Sequence, residues 1–203
     1  MAAPLLRVGE AMAQLEDHVE GWHLDVMDGH FVPNLTFGPD FVRAVIQNTQ
    51  KKVDVHLMTQ PIEPWLDWLP DGVTSVTFHP EATAHPYRML QALRERGIKA
   101  GVALSPGAGL HVLDALAPVL DVVLVLCVNP GWSGQSFIPE MAHKIQAVHQ
   151  WRQNKSIALH VDGGVSASTA HLCQVADVWV VGSALMSFPH PLQSLQLIRQ
   201  EAH

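Results

Sequence analysis

The 203-residue sequence is poor in charge: Asp, Glu, Lys and Arg make up 15% of it, against 48% hydrophobic residues. So apolar a chain does not stay solvated as a disordered polymer, and its length suits one compact domain, residues 1–203, around a large core. Basic residues are the scarcest, with twelve Lys and Arg facing nineteen Asp and Glu, and no block of like charge occurs anywhere. A groove that tracks nucleic-acid phosphates has little to be built from, so nucleic acid is not an expected partner. Long hydrophobic runs are missing too. The longest, Val122 to Val128, falls far short of the roughly twenty residues a membrane-spanning helix needs, and the first residues lack the basic start and apolar stretch of an export signal. The expectation is a soluble cytoplasmic protein with no membrane partner. Cysteine is nearly absent: Cys127 and Cys173 lie inside apolar segments without metal-type spacing, which fits buried thiols of a reducing compartment better than a disulfide framework. Against these shortages stand thirteen histidines, the one unusual count.

Short runs rich in Val, Ile and Leu alternate with longer segments of helical periodicity, without a low-complexity linker. The candidate strands are Trp22–Met27, Lys52–Met58, Ser75–His79, Lys99–Leu104, Val122–Val128, Ser156–Val161 and Val178–Val181. The candidate helices are Leu5–Val19, Asp40–Asn48, Pro61–Leu69, Pro86–Arg96, Leu110–Leu116, Pro139–Trp151, Ala167–Val175 and Pro191–Glu201, several with a proline in the first turn, where a missing N–H costs nothing. Near-continuous apolar strands imply a parallel sheet covered on both faces, either a barrel or an open doubly wound sheet. An open sheet commonly binds phosphate after its first strand. Here the glycines cluster late, at Gly131 and Gly134, Gly163 and Gly164, then Gly182, which favours an α/β (β/α)₈ TIM barrel.

Side chains alternate across a strand, so residues two apart share a face. His23, Asp25 and Met27 therefore share one face, opposed by Leu24 and Val26, and Asp54, His56 and Met58 share another, opposed by Val53, Val55 and Leu57. Asp162 closes a third strand just before Gly163-Gly164. A lone strand histidine is usually a hydrogen-bonded core residue, and HxD or DxH alone is weak. Their recurrence at successive strand ends points instead to a site, because converging buried polar groups need something to satisfy them. His23, Asp25, His56 and Asp162 supply two imidazoles and two carboxylates, a set suited to one divalent ion of zinc, iron, manganese or cobalt. Met27 and Met58 read first as core filler and second as substrate-shaping residues.

The sequence resembles the ribulose-phosphate 3-epimerase family of metal-dependent barrels in pentose phosphate metabolism. The resemblance rests on HLDVMDGHFVPNLTFGPDFV (His23–Val42), DVHLM (Asp54–Met58), TFHPEAT (Thr77–Thr83), NPGWSGQSF (Asn129–Phe137), HVDGGV (His160–Val165) and VGSALM (Val181–Met186), in family order over about nine-tenths of the chain. It implies that His23, Asp25, His56 and Asp162 bind the metal and that Asp25 and Asp162 are also the catalytic acid and base. Together they would interconvert D-ribulose 5-phosphate and D-xylulose 5-phosphate through a metal-stabilised enediolate, with no organic cofactor. It further implies substrate contacts from His56, Met27, Met58, Gly131, Ser133, Gly134, Gln135, Asp162, Gly163, Gly164, Gly182 and Ser183, the small residues cradling the phosphate, and a homo-oligomeric assembly. Two alternatives stand beside this reading: a 3-epimerase of a ketohexose 6-phosphate such as allulose 6-phosphate, and a truncated non-catalytic barrel that only binds phosphate or metal.

Several positions depart from the family pattern. The usual GFGGQ loop reads Gly131-Trp132-Ser133-Gly134-Gln135, and Ser133 would be strained if that position needs positive φ. A family methionine is Leu126, a volume-conserving change. The acid two residues before Asp162 is His160, read either as a packed, hydrogen-bonded residue or as one that tunes Asp162. The first barrel strand, with a Pro-Ser pair facing the substrate, is expected before Leu5, where only Met1 to Pro4 stand, so the barrel lacks most or all of that strand. A start placed downstream of the true one, a truncated form, or another chain covering the gap would each explain this. The first is favoured because every metal ligand is intact.

Overall fold

The computed structural model describes residues 5–186 and 190–201. Seven strands, β1 (Gly21–Met27), β2 (Lys52–Met58), β3 (Ser75–Phe78), β4 (Lys99–Leu104), β5 (Val122–Leu126), β6 (Ala158–Asp162) and β7 (Val178–Val180), form one parallel sheet in unbroken chain order. A doubly wound sheet reverses its strand order at a switch point, and this sheet has none. It curls into a nearly closed barrel. Helix α1 (Val8–Leu15) precedes β1, and α2 (Pro39–Gln47), α3 (Glu63–Trp68), α4 (Pro86–Glu95), α5 (Val112–Leu116) and α6 (Met141–Trp151) fill successive crossovers. Helices α7 (Ser183–Met186) and α8 (Pro191–Gln200) follow β7. No helix among the described residues is long and apolar enough to cross a membrane.

Alternation divides each strand between two environments. Val53, Val55 and Leu57 of β2 join the main apolar cluster with Leu66 of α3 and Leu90 and Leu93 of α4. Ala103, Leu124 and Leu126 form a separate buried cluster with Val180 packed on it, drawing alternate residues of β4, β5 and β7 into the barrel interior. Leu126 thus fills space as the family methionine would. Proline starts α2, α4 and α8 as the sequence suggests. Gly97, with φ of 74°, ends α4, where its N–H donates to the Arg94 carbonyl and that of Ile98 to Leu93.

Two helices differ from expectation. Ala167–Val175 is not a helix, and only a 3₁₀ turn, Ala170–Leu172, forms there. Thr169 Oγ1 accepts from the Ser166 N–H at 2.9 Å and donates to the Gly164 carbonyl at 2.9 Å. Such side-chain bonds compete with the helical ladder. Leu5–Val19 is divided into two 3₁₀ turns flanking α1. Glu16 in the second turn accepts from Trp22 Nε1 at 3.0 Å and Thr49 Oγ1 at 2.7 Å, which ties the turn to β1 and to the approach to β2.

β1 and β7 are the two edges of the sheet, and among the described residues no strand joins them. Seven strands match the count expected for a barrel without its first strand; residues 1–4 are outside the described residues. A cavity of about 920 Å³ opens along this seam, bounded by β1, β7, Leu5, Val8 and Met12 at one end of the chain and Leu195 and Ile198 of α8 at the other.

Burial on the helical layer yields a stability test. Leu93 of α4 is fully buried, whereas Leu197 of α8 is 56% exposed. Leu93→Ala is expected to lower the unfolding free energy by about 2–5 kcal/mol, and Leu197→Ala by less than about 0.5 kcal/mol, in urea titrations. Equal effects would contradict the packing described.

Candidate active site

Strand register assembles the site. β1 and β2 run parallel with His23 opposite Asp54, Asp25 opposite His56, and Met27 opposite Met58. Asp162 ends β6, opposite Leu126 of β5 and Val180 of β7. Residues from three strands thereby reach one place, and ligand atoms of His23, Asp25, His56 and Asp162 lie within 4.8 Å of one another. Asp25 is the hub. Its Oδ1 lies 3.2 Å from His56 Nδ1 and 3.4 Å from His23 Nε2.

A carboxylate stands behind His23 as well. His23 Nδ1 is 2.5 Å from Asp54 Oδ2, and Asp54 Oδ1 accepts from the Ser75 hydroxyl. Nδ1–H is thus committed to Asp54, while Nε2 is buried and has no hydrogen-bond partner. Burial works against charge on His23, but Asp54 and Asp25 outweigh it and raise its pKa well above the usual histidine value. Nε2 therefore has only a long approach to Asp25 Oδ1 at 3.4 Å, and a divalent cation in place of its proton would satisfy the atom. Together with the mixed imidazole and carboxylate set, this orphaned atom fits the chain to a metal ion.

The two carboxylates differ. Burial opposes ionisation of Asp25, yet the His23 and His56 rings beside its carboxylate hold its pKa well below the carboxylate range. Asp162 is pushed up to about 6, first by burial and then by the charge of Asp25. Burial takes His56 down to about 4, so it is a neutral imidazole at pH 7.

The small residues expected to bind phosphate border the same space. Ser133, Gly134, Gln135, Gly163, Gly164, Gly182 and Ser183 line the 920 Å³ cavity along with His23, Asp25, Met27 and Asp162. Gly163 and Gly164 have φ of 101° and 69°, and a Cβ on Gly164 would sit 2.4 Å from the Phe137 backbone nitrogen. Glycine is required there by both conformation and packing. Ser133 is unstrained, because Asn154 is the one non-glycine residue with positive φ among those described. Gln135 Nε2 donates to the carbonyls of Asn129 at 2.7 Å and Trp132 at 2.9 Å, and the Gly131 carbonyl accepts from Asn34 at 2.7 Å. Both residues brace the loop. Met58 packs with Met27 and Val32 in a small buried cluster.

His160 corrects one expectation. It lines the cavity, but its buried Nδ1 lacks a hydrogen-bond partner, so it is packed without being hydrogen-bonded there. Residues that the sequence did not single out as site members also enter. Asp54 shares a face with His56 in the sequence, but its bond to His23 depends on cross-strand register. His79, fully buried, lies 3.0 Å from His56 through facing Nε2 atoms.

A model of the ribulose-phosphate 3-epimerase family matches residues 1–186. The chain is 42% identical over 193 residues to a ribulose-phosphate 3-epimerase of Treponema pallidum, covering 92% of this chain and 88% of that one. It is 38% identical over 209 residues to the enzyme of that name in Escherichia coli K12, covering 99% and 92%. A Rhodospirillum rubrum relative of the same name is 48% identical over 149 residues, covering 73% of this chain and 66% of that one. Among solved structures, a 3-keto-L-gulonate-6-phosphate decarboxylase from Vibrio cholerae superposes with a TM-score of 0.70 at 12% identity, over 94% of this chain and 88% of that one. A mutant tryptophan synthase α-subunit from Pyrococcus furiosus gives 0.66 at 13% identity, over 97% and 90%. At such identities these structures speak to the fold alone.

The raised pKa of Asp162 sets a pH dependence. The native state holds its proton more tightly than the unfolded chain, whose aspartates titrate near 4, so Asp162 is neutral to stability below about pH 4 and increasingly destabilising up to its native pKa of about 6. Metal-free Asp162→Asn is therefore expected to exceed metal-free wild type in stability by about 3 kcal/mol at pH 7, falling to about half that at pH 5. Urea titrations of chelator-treated protein check this; a pH-independent gap would contradict it.

Proposed function

The chain belongs to the ribulose-phosphate 3-epimerase family, and from that premise we propose that it interconverts D-ribulose 5-phosphate and D-xylulose 5-phosphate, with Asp25 and Asp162 moving the proton at C3. It is an epimerase, and inverting a carbon beside a ketone needs one proton removed from one face and another delivered to the opposite face. The observation that carries the reading is a pair of carboxylates in one cluster whose environments pull their pKa values apart.

In one direction Asp25, kept ionised by His23 and His56, takes the C3 proton, and Asp162, the more readily protonated of the two, returns one to the other face. The reverse reaction exchanges their roles. A divalent cation bound by His23, Asp25, His56 and Asp162, whether Zn, Fe, Mn or Co, would supply positive charge to offset the negative charge that develops on the substrate oxygens. Asp54 orients the His23 ring. Gly134, Gly163, Gly164, Gly182 and Ser183, with Ser133, form the phosphate cradle, where small side chains let backbone N–H groups approach an anion. Gly131 and Gln135 hold the shape of that loop. Met27 and Met58 supply an apolar wall that excludes water from the carbanion-like centre. The chemistry is redox-neutral and calls for no organic cofactor. Two buried free thiols support placing it in a reducing compartment such as the cytoplasm, and a homo-oligomer is proposed on the family resemblance.

Chelator-treated protein reloaded separately with Zn²⁺, Mn²⁺, Co²⁺ or Fe²⁺ is expected to turn over D-ribulose 5-phosphate in a coupled assay and, in D₂O, to place deuterium at C3. Asp25→Asn and Asp162→Asn should each lower kcat by about 10²–10⁴-fold. Faster turnover of allulose 6-phosphate would move the substrate to the hexose series. Absence of turnover on either sugar with any of the metals would leave a non-catalytic binding barrel.

A further inference from the structure

His56 presents Nδ1 to Asp25, and behind it a row of polar groups leads out of the barrel. Its Nε2 lies 3.0 Å from His79 Nε2. On the far side of that ring, His79 Nδ1 is 3.1 Å from Ser105 Oγ and 3.4 Å from Glu81 Oε1, while Ser105 Oγ is itself 3.2 Å from Glu81 Oε1. His56 and His79 are fully buried; the Glu81 side chain is 47% exposed. The row is rigidly built. His79 and Glu81 follow β3, Ser105 follows β4, and the Phe31 ring packs on His79 at 4.8 Å between centroids. Lys144 fixes the Ser105 loop by donating to the carbonyls of Ser105, Pro106 and Ala108 at 2.7–2.8 Å.

Two facing imidazole nitrogens can hold one proton between them in a hydrogen bond, so the row has two possible directions. In the first, Ser105 donates to His79 Nδ1, His79 donates to His56, and His56 turns an Nδ1–H towards Asp25. Glu81 then receives nothing from the row and faces a nitrogen lone pair. In the second, His56 Nε2–H donates to His79 Nε2, His79 Nδ1–H donates to Ser105, and the Ser105 hydroxyl donates to Glu81. Every donor then has an acceptor, Glu81 is satisfied, and the His56 Nδ1 electron pair points into the four-residue cluster beside Asp25 Oδ1 at 3.2 Å, an arrangement that a cation between the two atoms would select over the first.

We propose that Glu81, acting through Ser105 and His79, is a positioning residue that fixes the tautomer of His56 and so presents Nδ1 as the atom offered to a cation. This rests on the reading of His23, Asp25, His56 and Asp162 as a cation site. It gives both ligand histidines a carboxylate at their back: Asp54 directly behind His23, Glu81 at two removes behind His56. Glu81, Ser105 and His79 act through His56, with no contact to the reacting atoms required.

The test uses the full chain and Zn²⁺ in competition with a chromophoric chelator. Glu81→Ala and Ser105→Ala are expected to bind Zn²⁺ about 10-fold or more weakly than wild type, with melting temperatures confirming that both fold. Glu63→Gln, whose parent carboxylate accepts from Thr83 at 2.6 Å, should bind as wild type does. In metal-free, ¹⁵N-histidine-labelled protein, the fraction of His56 protonated at Nε2 should fall in Glu81→Ala relative to wild type. If wild type binds Zn²⁺ and both alanine variants bind it equally well, or if the tautomer ratio is the same with and without Glu81, the relay is wrong. Failure of wild type itself to bind Zn²⁺ would overturn the cation site and the relay together.

Discussion

Asp25 and Asp162 reach into one half-buried space, and the repulsion between them is the constraint around which the site is arranged. Two like charges about 5 Å apart cost about 3 kcal/mol at an effective dielectric of about 20, and burial adds to that. The surrounding residues act on Asp25 and leave Asp162 exposed to the effect. His23 and His56 hold Asp25 ionised, Asp54 holds His23 charged, and Asp162 is left to rise to about 6. A carboxylate pair split in this way is one that can both give and take a proton. A divalent cation at the orphaned His23 Nε2 fits the same electrostatic need.

The barrel supplies the geometry that makes such a cluster possible. Parallel strands held in register bring His23, Asp25 and His56 side by side, and their opposite faces are apolar enough to pack against helices. Every strand delivers its carboxyl end to the same rim, so Asp162 and the glycine loops after β5, β6 and β7 meet the cluster without any long-range rearrangement. The close approach of Gly164 to Phe137 shows that these loops are packed on each other as well as open to the cavity. A side chain there would separate the glycine loops from the two carboxylates.

Much of this was legible in the sequence because it depends on alternation along a single strand. The four-residue cluster followed from His23-Leu24-Asp25, Asp54-Val55-His56 and the position of Asp162 before two glycines, and the seven strands from runs of Val, Ile and Leu. What escaped depends on contacts that a linear pattern does not encode. The segment 167–175 has helical spacing, but Ser166 and Thr169 spend their backbone bonds locally. The hydrogen-bond state of His160 depends on its neighbours across the sheet. Asp54 behind His23 requires the β1–β2 register, and the row from His56 to Glu81 joins residues after two different strands. The seam left between β1 and β7 among the described residues was foreshadowed by the strand count, seven where a (β/α)₈ barrel has eight.

The central claim is that His23, Asp25, His56 and Asp162 act together as one cation centre. Anomalous diffraction from crystals of the protein loaded with Mn²⁺ or Zn²⁺ tests it most directly. The account predicts a single strong anomalous peak bonded to His23 Nε2, His56 Nδ1 and the carboxylates of Asp25 and Asp162. A cation bound elsewhere, or one that leaves either aspartate unligated, would contradict it.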